Sequence, residues 1–235
     1  MQSAVRDRPR TPQALFTRVA PYYDLMNSVL SFGRDRRWRR AAVGALELGP
    51  GARVLDVATG TGALAAELAR ANVGVCVSAC DLNEGMLARA GRRVNRAGLS
   101  VELLRCDATE LPFDDDSFDA VTLAFAIDDI LDRSRCVQEM YRVLRPGGRV
   151  ALLELGQPDS GWLRDAFQLY LRLFHLVRLG WSAYGHLEQE ILGWRSARAV
   201  QSLLARGRFV ACTHHSLSHG IARLYLARKP PLALH

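Results

Sequence analysis

Two glycines and two carboxylates stand where this sequence could hold a small molecule. Gly60 and Gly62 close the run Arg53-Val54-Leu55-Asp56-Val57-Ala58-Thr59-Gly60-Thr61-Gly62, an apolar stretch without strict alternation that passes straight into a turn. Glycine frees the backbone there and lets a ligand approach the main chain without meeting a Cβ, while a helix opening near Ala63 offers unpaired N–H groups. Asp81 ends the next β-like run, Val75 to Cys80. At that place a carboxylate can accept both hydroxyls of a ribose diol through charge-assisted bonds. Asp107 ends a third run, Val101 to Cys106, and puts an acceptor where an exocyclic amine such as adenine's can be met. Three strand ends thus converge on one nucleoside. The spacing is not the dinucleotide fingerprint, because Leu64 and Ala65 stand where its third glycine is sought.

These residues need a parallel sheet to bring them together, and the pattern predicts one. Helix Thr61 to Ala71 follows the first strand; strand Val75 to Cys80, helix Glu84 to Ala97, and strands Val101 to Cys106 and Phe118 to Phe125 come next. Helix Ser134 to Leu144 ends in Arg145-Pro146-Gly147-Gly148, read as a turn that restarts a strand at Arg149 to Glu154. Helix Ala197 to Arg206 and strands Phe209 to His215 and Gly220 to Arg228 complete seven strands. The βα alternation predicts an α/β fold with a doubly wound, mostly parallel sheet. At 235 residues, 49% hydrophobic and without a Pro-, Gly- or Ser-rich linker, the sequence is read as one domain, with residues 1–12 disordered. Trp162 to Trp181 breaks the alternation; a helix apolar on almost every face is buried, lines a greasy cavity or meets a partner.

At its glycine turn and strand-end carboxylates the protein resembles class I S-adenosylmethionine-dependent methyltransferases. Phe16-Thr17-Arg18-Val19-Ala20-Pro21-Tyr22-Tyr23-Asp24-Leu25-Met26-Asn27, with Ser31-Phe32-Gly33 and Trp38, is similar to the entry signature of the ubiquinone and menaquinone C-methyltransferases. Asp81 to Leu87, Ala108 to Phe113 and Met140 to Gly148 continue that family's pattern. The resemblance implies S-adenosyl-L-methionine as cofactor. It implies contacts from Tyr23, Asp56, Ala58, Thr59, Gly60, Thr61, Gly62, Asp81, Leu82, Met86, Asp107, Ala108 and Phe125. It further implies an N-terminal helical lid over residues 13–45, with Tyr23 bordering cofactor and acceptor, and a helical insertion over 160–193 that covers a hydrophobic acceptor. Without the resemblance, Phe16, Tyr23 and Trp38 read as packing aromatics.

The sequence departs from that family after its fourth strand. Those enzymes carry an arginine and an asparagine there, implicated in activating the acceptor, whereas this protein has Phe125-Ala126-Ile127-Asp128-Asp129. A carboxylate repels a phenolate, but it can act as a base or bind a protonated amine; equally, Asp128 or Asp129 can cap the following helix. In Tyr184-Gly185-His186-Leu187-Glu188-Gln189-Glu190-Ile191, His186 replaces a family tyrosine and is a candidate acid or base, or else a hydrogen-bonded pocket histidine. The candidate catalytic residues are therefore Asp128, His186 and Tyr23. The acidic pair predicts a protein that does not serve as a housekeeping quinone methyltransferase. The leading function is methyl transfer to a hydrophobic small molecule, with C-methylation of a quinone-like or polyketide-like ring among its forms; O- or N-methylation of a specialised metabolite, and a cyclase that retains the cofactor without transferring methyl, are the competing functions.

Composition narrows the partners. Of the net charge of +7, residues 1–40 supply most, with nine arginines against Asp7, Asp24 and Asp35. This basic segment is a solvated face or a contact with an anionic membrane surface. A hydrophobic small molecule and a second copy of the protein are the other partners. No nucleic acid is expected, since no RNA-binding module or Asn-Pro-Pro-Tyr-type motif is present. The absence of a leader or an apolar span predicts a cytoplasmic protein. None of the five cysteines pairs at Cys-x-x-Cys spacing; Cys76, Cys80 and Cys106 read as small core residues. No metal is expected, because His214 and His215 point to opposite faces of a strand.

Overall fold

The computed structural model describes residues 28, 31–71, 74–177 and 197–232, with backbone alone over 171–177. The seven strands are β1 (Arg53–Val57), β2 (Cys76–Asp81), β3 (Glu102–Arg105), β4 (Phe118–Ala124), β5 (Leu144–Leu155), β6 (Val210–Leu217) and β7 (Ala222–Arg228). They form one sheet ordered β3-β2-β1-β4-β5-β7-β6. β1 pairs in parallel with β2 and β4, as do β2 with β3 and β4 with β5, while β7 runs antiparallel to both β5 and β6. The helices are α1 (Asp35–Ala45), α2 (Ala63–Ala71), α3 (Glu84–Arg96), α4 (Arg133–Val143), α5 (Gly161–Val177) and α6 (Ala197–Arg206).

Helices cover both faces of the sheet, which explains why β1 lacks alternation. Leu55 and Val57 belong to the apolar cluster shared with α4 and α6, and Val54 to the cluster shared with α1 and α2; all three are 0% exposed. Trp38 of α1 is buried in the second cluster and donates its indole N–H to Ser218 Oγ at 2.9 Å. It is a packing aromatic.

Several boundaries differ from the sequence reading for local reasons. Helix α2 starts at Ala63 rather than Thr61, because Gly62 has φ +74, outside the helical region. The Arg145–Gly148 segment is a bulge within β5: the partners of β4 shift between Phe118↔Leu144 and Ala120↔Arg149. An added Cβ at Gly148 would meet Arg145 O and Leu144 Cδ2 at 2.8 Å, so glycine lets the bulge fold tightly. Cys76 is exposed, not core, because it opens β2; Cys80 and Cys106 are buried, and all five cysteines are free thiols. Over its described side chains α5 is not apolar and buried all round. Phe167 is buried with Tyr170 beside it, while Trp162 is 75% and Leu169 57% exposed. Residues 1–12, residues 13–27, 29 and 30 of the expected lid, and residues 178–193 of the insertion lie outside the described residues. Among the described residues, no helix is long and apolar enough to cross a membrane, and no three His, Cys, Asp or Glu side chains are grouped to hold a metal ion.

Candidate active site

The strand order reverses direction between β1 and β4, and a cavity of about 340 Å³ opens at the carboxyl ends of these strands. That is where doubly wound sheets bind ligands, and the volume lies within the roughly 300–1,000 Å³ typical of ligand pockets. Two non-glycine residues lining it have left-handed backbones, Ala58 at φ 52 after β1 and Phe125 at φ 57 after β4. Each carries a local strain of about 1–2 kcal/mol. Hydrogen bonds to the adjacent strand hold both turns: Thr59 N–H donates to Cys80 O at 2.9 Å, and Phe125 N–H to Leu153 O at 2.7 Å.

One end of the cavity is a ring of preset acceptors. Asp81 Oδ2 accepts the Gly60 N–H and Oδ1 accepts the Asn83 N–H, both at 2.8 Å, which ties the end of β2 to the glycine turn. Burial raises the Asp81 carboxyl above its ordinary range, opposed by the N–H bonds from Asn83, Gly60 and Leu82. Asn83 caps α3 by accepting the Met86 N–H at 3.1 Å, which brings Met86 to the cavity wall. Asp107 Oδ1 accepts from both Thr109 N–H at 2.8 Å and Thr109 Oγ1–H at 2.7 Å. Asp56 is buried and receives Thr59 Oγ1–H at 2.6 Å and Thr122 Oγ1–H at 2.7 Å; burial lifts it from 3.8 to about 6 despite these bonds. Asp56 therefore fastens the ends of β1 and β4 as well as lining the cavity.

The two glycines divide the labour. A Cβ added at Gly60, φ +56, would meet nothing within 4 Å, so the space above it is open cavity. A Cβ added at Gly62 would meet Ala90 Cβ at 2.8 Å, and Gly62 does not line the cavity; it lets the turn pack against α3. Gly62, expected from the sequence as a ligand contact, thus has a packing role against α3 in the structure.

The other end is built by α1 and the loop after β4. Arg39 lines the cavity at 7% exposure, paired with Asp35 and with its guanidinium 5.3 Å from the centre of the Phe125 ring. It is the one cation among the described lining residues. Ala126, Asp129, Ile130, Leu131 and Asp132 continue the wall. Asp128 does not line it. A turn closed by Asp129 N–H to Ala126 O at 3.1 Å separates the two neighbours, and Asp128 Oδ1 lies 3.5 Å from Arg133 Nη2. Neither residue caps α4; Asp132 does so by accepting the Arg135 N–H at 2.9 Å.

Of the residues singled out in the sequence, Asp56, Ala58, Thr59, Gly60, Thr61, Asp81, Leu82, Met86, Asp107, Ala108 and Phe125 are brought to this one cavity. Gly62 and Asp128 are not, and Tyr23 and His186 lie outside the described residues. None of the described α5 side chains lines it. Sequence reasoning missed Arg39 and Glu154. Arg39 sits among Arg36, Arg37 and Arg40, but its helical spacing to the buried Ala42, Val43 and Leu46 marks the inward face. Glu154 was visible as a lone carboxylate closing the apolar run Val150 to Leu153.

A cavity at the switch point of a seven-stranded sheet with an antiparallel β7 is the architecture of class I methyltransferases. A family model described as the ubiE/COQ5 methyltransferase family matches residues 4–229. A demethylmenaquinone methyltransferase of Clavibacter sepedonicus is 37% identical, covering 98% of this chain and 95% of its own. A ubiquinone/menaquinone biosynthesis C-methyltransferase UbiE of Geobacter sulfurreducens is 40% identical over 92% of this chain and 87% of its own. Among solved structures, a methyltransferase from Thermotoga maritima shares the fold with a TM-score of 0.64 at 20% identity, covering 92% of this chain and 98% of its own. The protein belongs to the ubiE/COQ5 methyltransferase family and is an S-adenosylmethionine-dependent methyltransferase. The open cradle above Gly60, with Asp81 and Asp107 beside it, fits that cofactor.

Proposed function

We propose that this protein transfers a methyl group to a ring carbon of a hydroquinone-like acceptor bearing a hydrophobic tail. The observation that carries this reading is that the cavity lined by Asp81 and Asp107 also has an apolar lip of Ile130 and Leu131, Leu131 being 91% exposed. A tail leaving past that lip keeps its apolar surface against protein. The names of the Clavibacter and Geobacter relatives support the same acceptor class.

S-adenosylmethionine, when bound, supplies a methyl group already activated on its sulfonium. The protein's own work is to hold, orient and deprotonate. We assign Asp81 to the ribose hydroxyls and Asp107 to the adenine amine. Following the sheet from β3 to β4, the amino-acid end falls to Arg39, whose guanidinium suits a carboxylate. Asp129 is assigned to take the phenolic proton that makes the ring carbon nucleophilic. Tyr23, bordering both ligands, keeps the role that the family pattern implies, and His186, standing where the family has a tyrosine, is assigned as a further acid or base.

The acidic pair predicted a protein outside quinone chemistry. One observation favours the quinone-type acceptor instead: Asp128 is turned to Arg133, so of the pair Asp128 and Asp129 only Asp129 enters the wall. A protonated amine is the second reading, favoured by Asp129 itself. The test is incubation of the purified enzyme with a demethylmenaquinol and cofactor, read by mass spectrometry. A gain of one methylene supports transfer, and an unchanged mass with rearranged product indicates cyclisation. Asp129→Asn is expected to lower turnover by about 100-fold, as loss of a general base does, and Asp128→Asn to stay within about twofold. Complementation of a strain lacking its quinone C-methyltransferase adds a cellular readout. Rescue only by the double variant Asp128→Arg, Asp129→Asn would overturn the quinone acceptor for the native protein.

We also place the protein in the cytoplasm, as a homodimer that meets an anionic membrane through its basic N-terminal segment, where tailed acceptors reside. Sedimentation with phosphatidylglycerol vesicles, and its loss at high salt, tests the membrane contact.

A further inference from the structure

We propose that Glu154 is a positioning residue for the acceptor: its carboxyl group sets the path of the loop after β4 and thereby the shape of the cavity's acceptor end.

The loop leaves the sheet abruptly. Phe125 turns left-handed at φ 57 while its N–H still pairs with Leu153 O at 2.7 Å. From there the backbone runs away from β5, so the next two N–H groups need an acceptor other than the ladder. Glu154, the penultimate residue of β5, supplies it: Oε1 accepts both Ala126 N–H and Ile127 N–H at 3.1 Å. Glu154 is buried at 9% exposure and Ile127 at 1%, so water does not readily substitute. From the opposite side, Arg133 of α4 donates to the loop's carbonyls, Nε to Ile127 O at 3.0 Å and Nη2 to Asp128 O at 2.7 Å. A carboxyl group on the N–H side and a guanidinium on the carbonyl side grip four consecutive peptides. Those peptides fix where Ala126 and Asp129 meet the cavity and turn Asp128 out of it. Glu154 itself does not line the cavity; it acts through the loop. The effect on the acceptor rests on the function proposed above, whereas the effect on the loop does not.

The test separates the two. Amide hydrogen exchange over residues 125–131 is measured in the full-length protein with S-adenosylhomocysteine bound, beside calorimetric affinity for that product and steady-state KM and kcat for the demethylmenaquinol. Glu154→Leu, which removes the acceptor atoms, is expected to speed exchange of Ala126 and Ile127 by tenfold or more. It should raise the acceptor KM by a similar factor and leave cofactor-product affinity within threefold. Glu154→Gln, whose amide oxygen can accept the same two bonds, should restore slow exchange. If Glu154→Leu does not fold, Arg133→Met loosens the same loop from its carbonyl side and is expected to raise the acceptor KM in the same way. Unchanged exchange in Glu154→Leu, or a Gln variant as fast as Leu, overturns the proposal. So does a loss of cofactor-product affinity as large as the rise in acceptor KM. An enzyme that does not methylate the demethylmenaquinol, yet shows the exchange pattern, sinks the acceptor assignment and leaves the loop assignment standing.

Discussion

The two ends of the cavity are built on different principles. At the cofactor end, hydrogen bonds within or between adjacent strand ends preset the carboxylates and their neighbours: Asp81 to Gly60 and Asn83, Asn83 to Met86, Asp107 to Thr109. At the acceptor end, the groups arrive from distant parts of the sequence. Asp129 comes from the loop after β4, that loop is gripped by Glu154 and Arg133, and Arg39, where the two ends join, comes from α1. A preset end tolerates change poorly but serves one invariant ligand. An end assembled by packing can be altered one residue at a time without disturbing the other, which is how an acidic residue can occupy a place where the family carries a cation.

Substitutions at the two ends should therefore have separable effects, and the glycines give the largest. Gly60→Val strains a left-handed backbone position and fills the cradle, and is expected to weaken S-adenosylhomocysteine binding by more than about 100-fold. Gly62→Val, two residues away, should instead lower thermal stability, through its clash with Ala90. Equal loss of affinity and of melting temperature in both variants would collapse the distinction between cradle and packing glycine.

Asp81→Ala comes next. Loss of its charge-assisted bonds, about 1.5–3 kcal/mol, is expected to weaken cofactor binding about 10- to 100-fold. Calorimetric titration with unchanged affinity would remove the ribose assignment.

Arg39→Met probes the join between the two ends. It is expected to weaken S-adenosylhomocysteine binding about tenfold while leaving methylthioadenosine, which lacks the carboxylate, near the wild-type value. Parallel losses for both ligands would mean that Arg39 shapes the cavity rather than meeting the carboxylate.

The smallest expected effect is on stability, and it falls at the acceptor end. Burial, with Asp128 and Asp129 nearby, lifts Glu154 from 4.5 to about 8. The native state then binds a proton that the unfolded state releases. The stability this contributes is fully present below pH 4.5 and is lost as pH rises through about 8. Asp56 has the same sign over a lower window, from 3.8 to about 6. Glu154→Gln should flatten the decline in unfolding free energy between pH 6 and 8, by at most roughly 1.4 kcal/mol per pH unit. Wild-type and Gln curves that run parallel would contradict a protonated Glu154.

The same division decides what could be read before the fold was seen. A strand, a glycine turn and a helix start lie within ten consecutive residues, so Gly60 and its neighbours announced a cradle by adjacency alone. Asp81 and Asp107 were legible because a parallel sheet places successive strand ends on one edge, a consequence of the period of the alternation. The departure at Asp128 and Asp129 was also legible as a change of charge. Which of the two meets the cavity was not, because neighbours in a turn diverge according to what grips the turn, and Arg133 and Glu154 lie four or more residues away on other elements. Arg39 was hidden in an arginine run whose members differ only in the helix face they occupy, and that face has meaning only once α1 packs on the sheet. Local hydrogen bonding is encoded by sequence neighbours. The orientation of a charged group into a cavity depends on desolvation and partners supplied by residues far along the sequence, and only the packed tertiary structure brings those together.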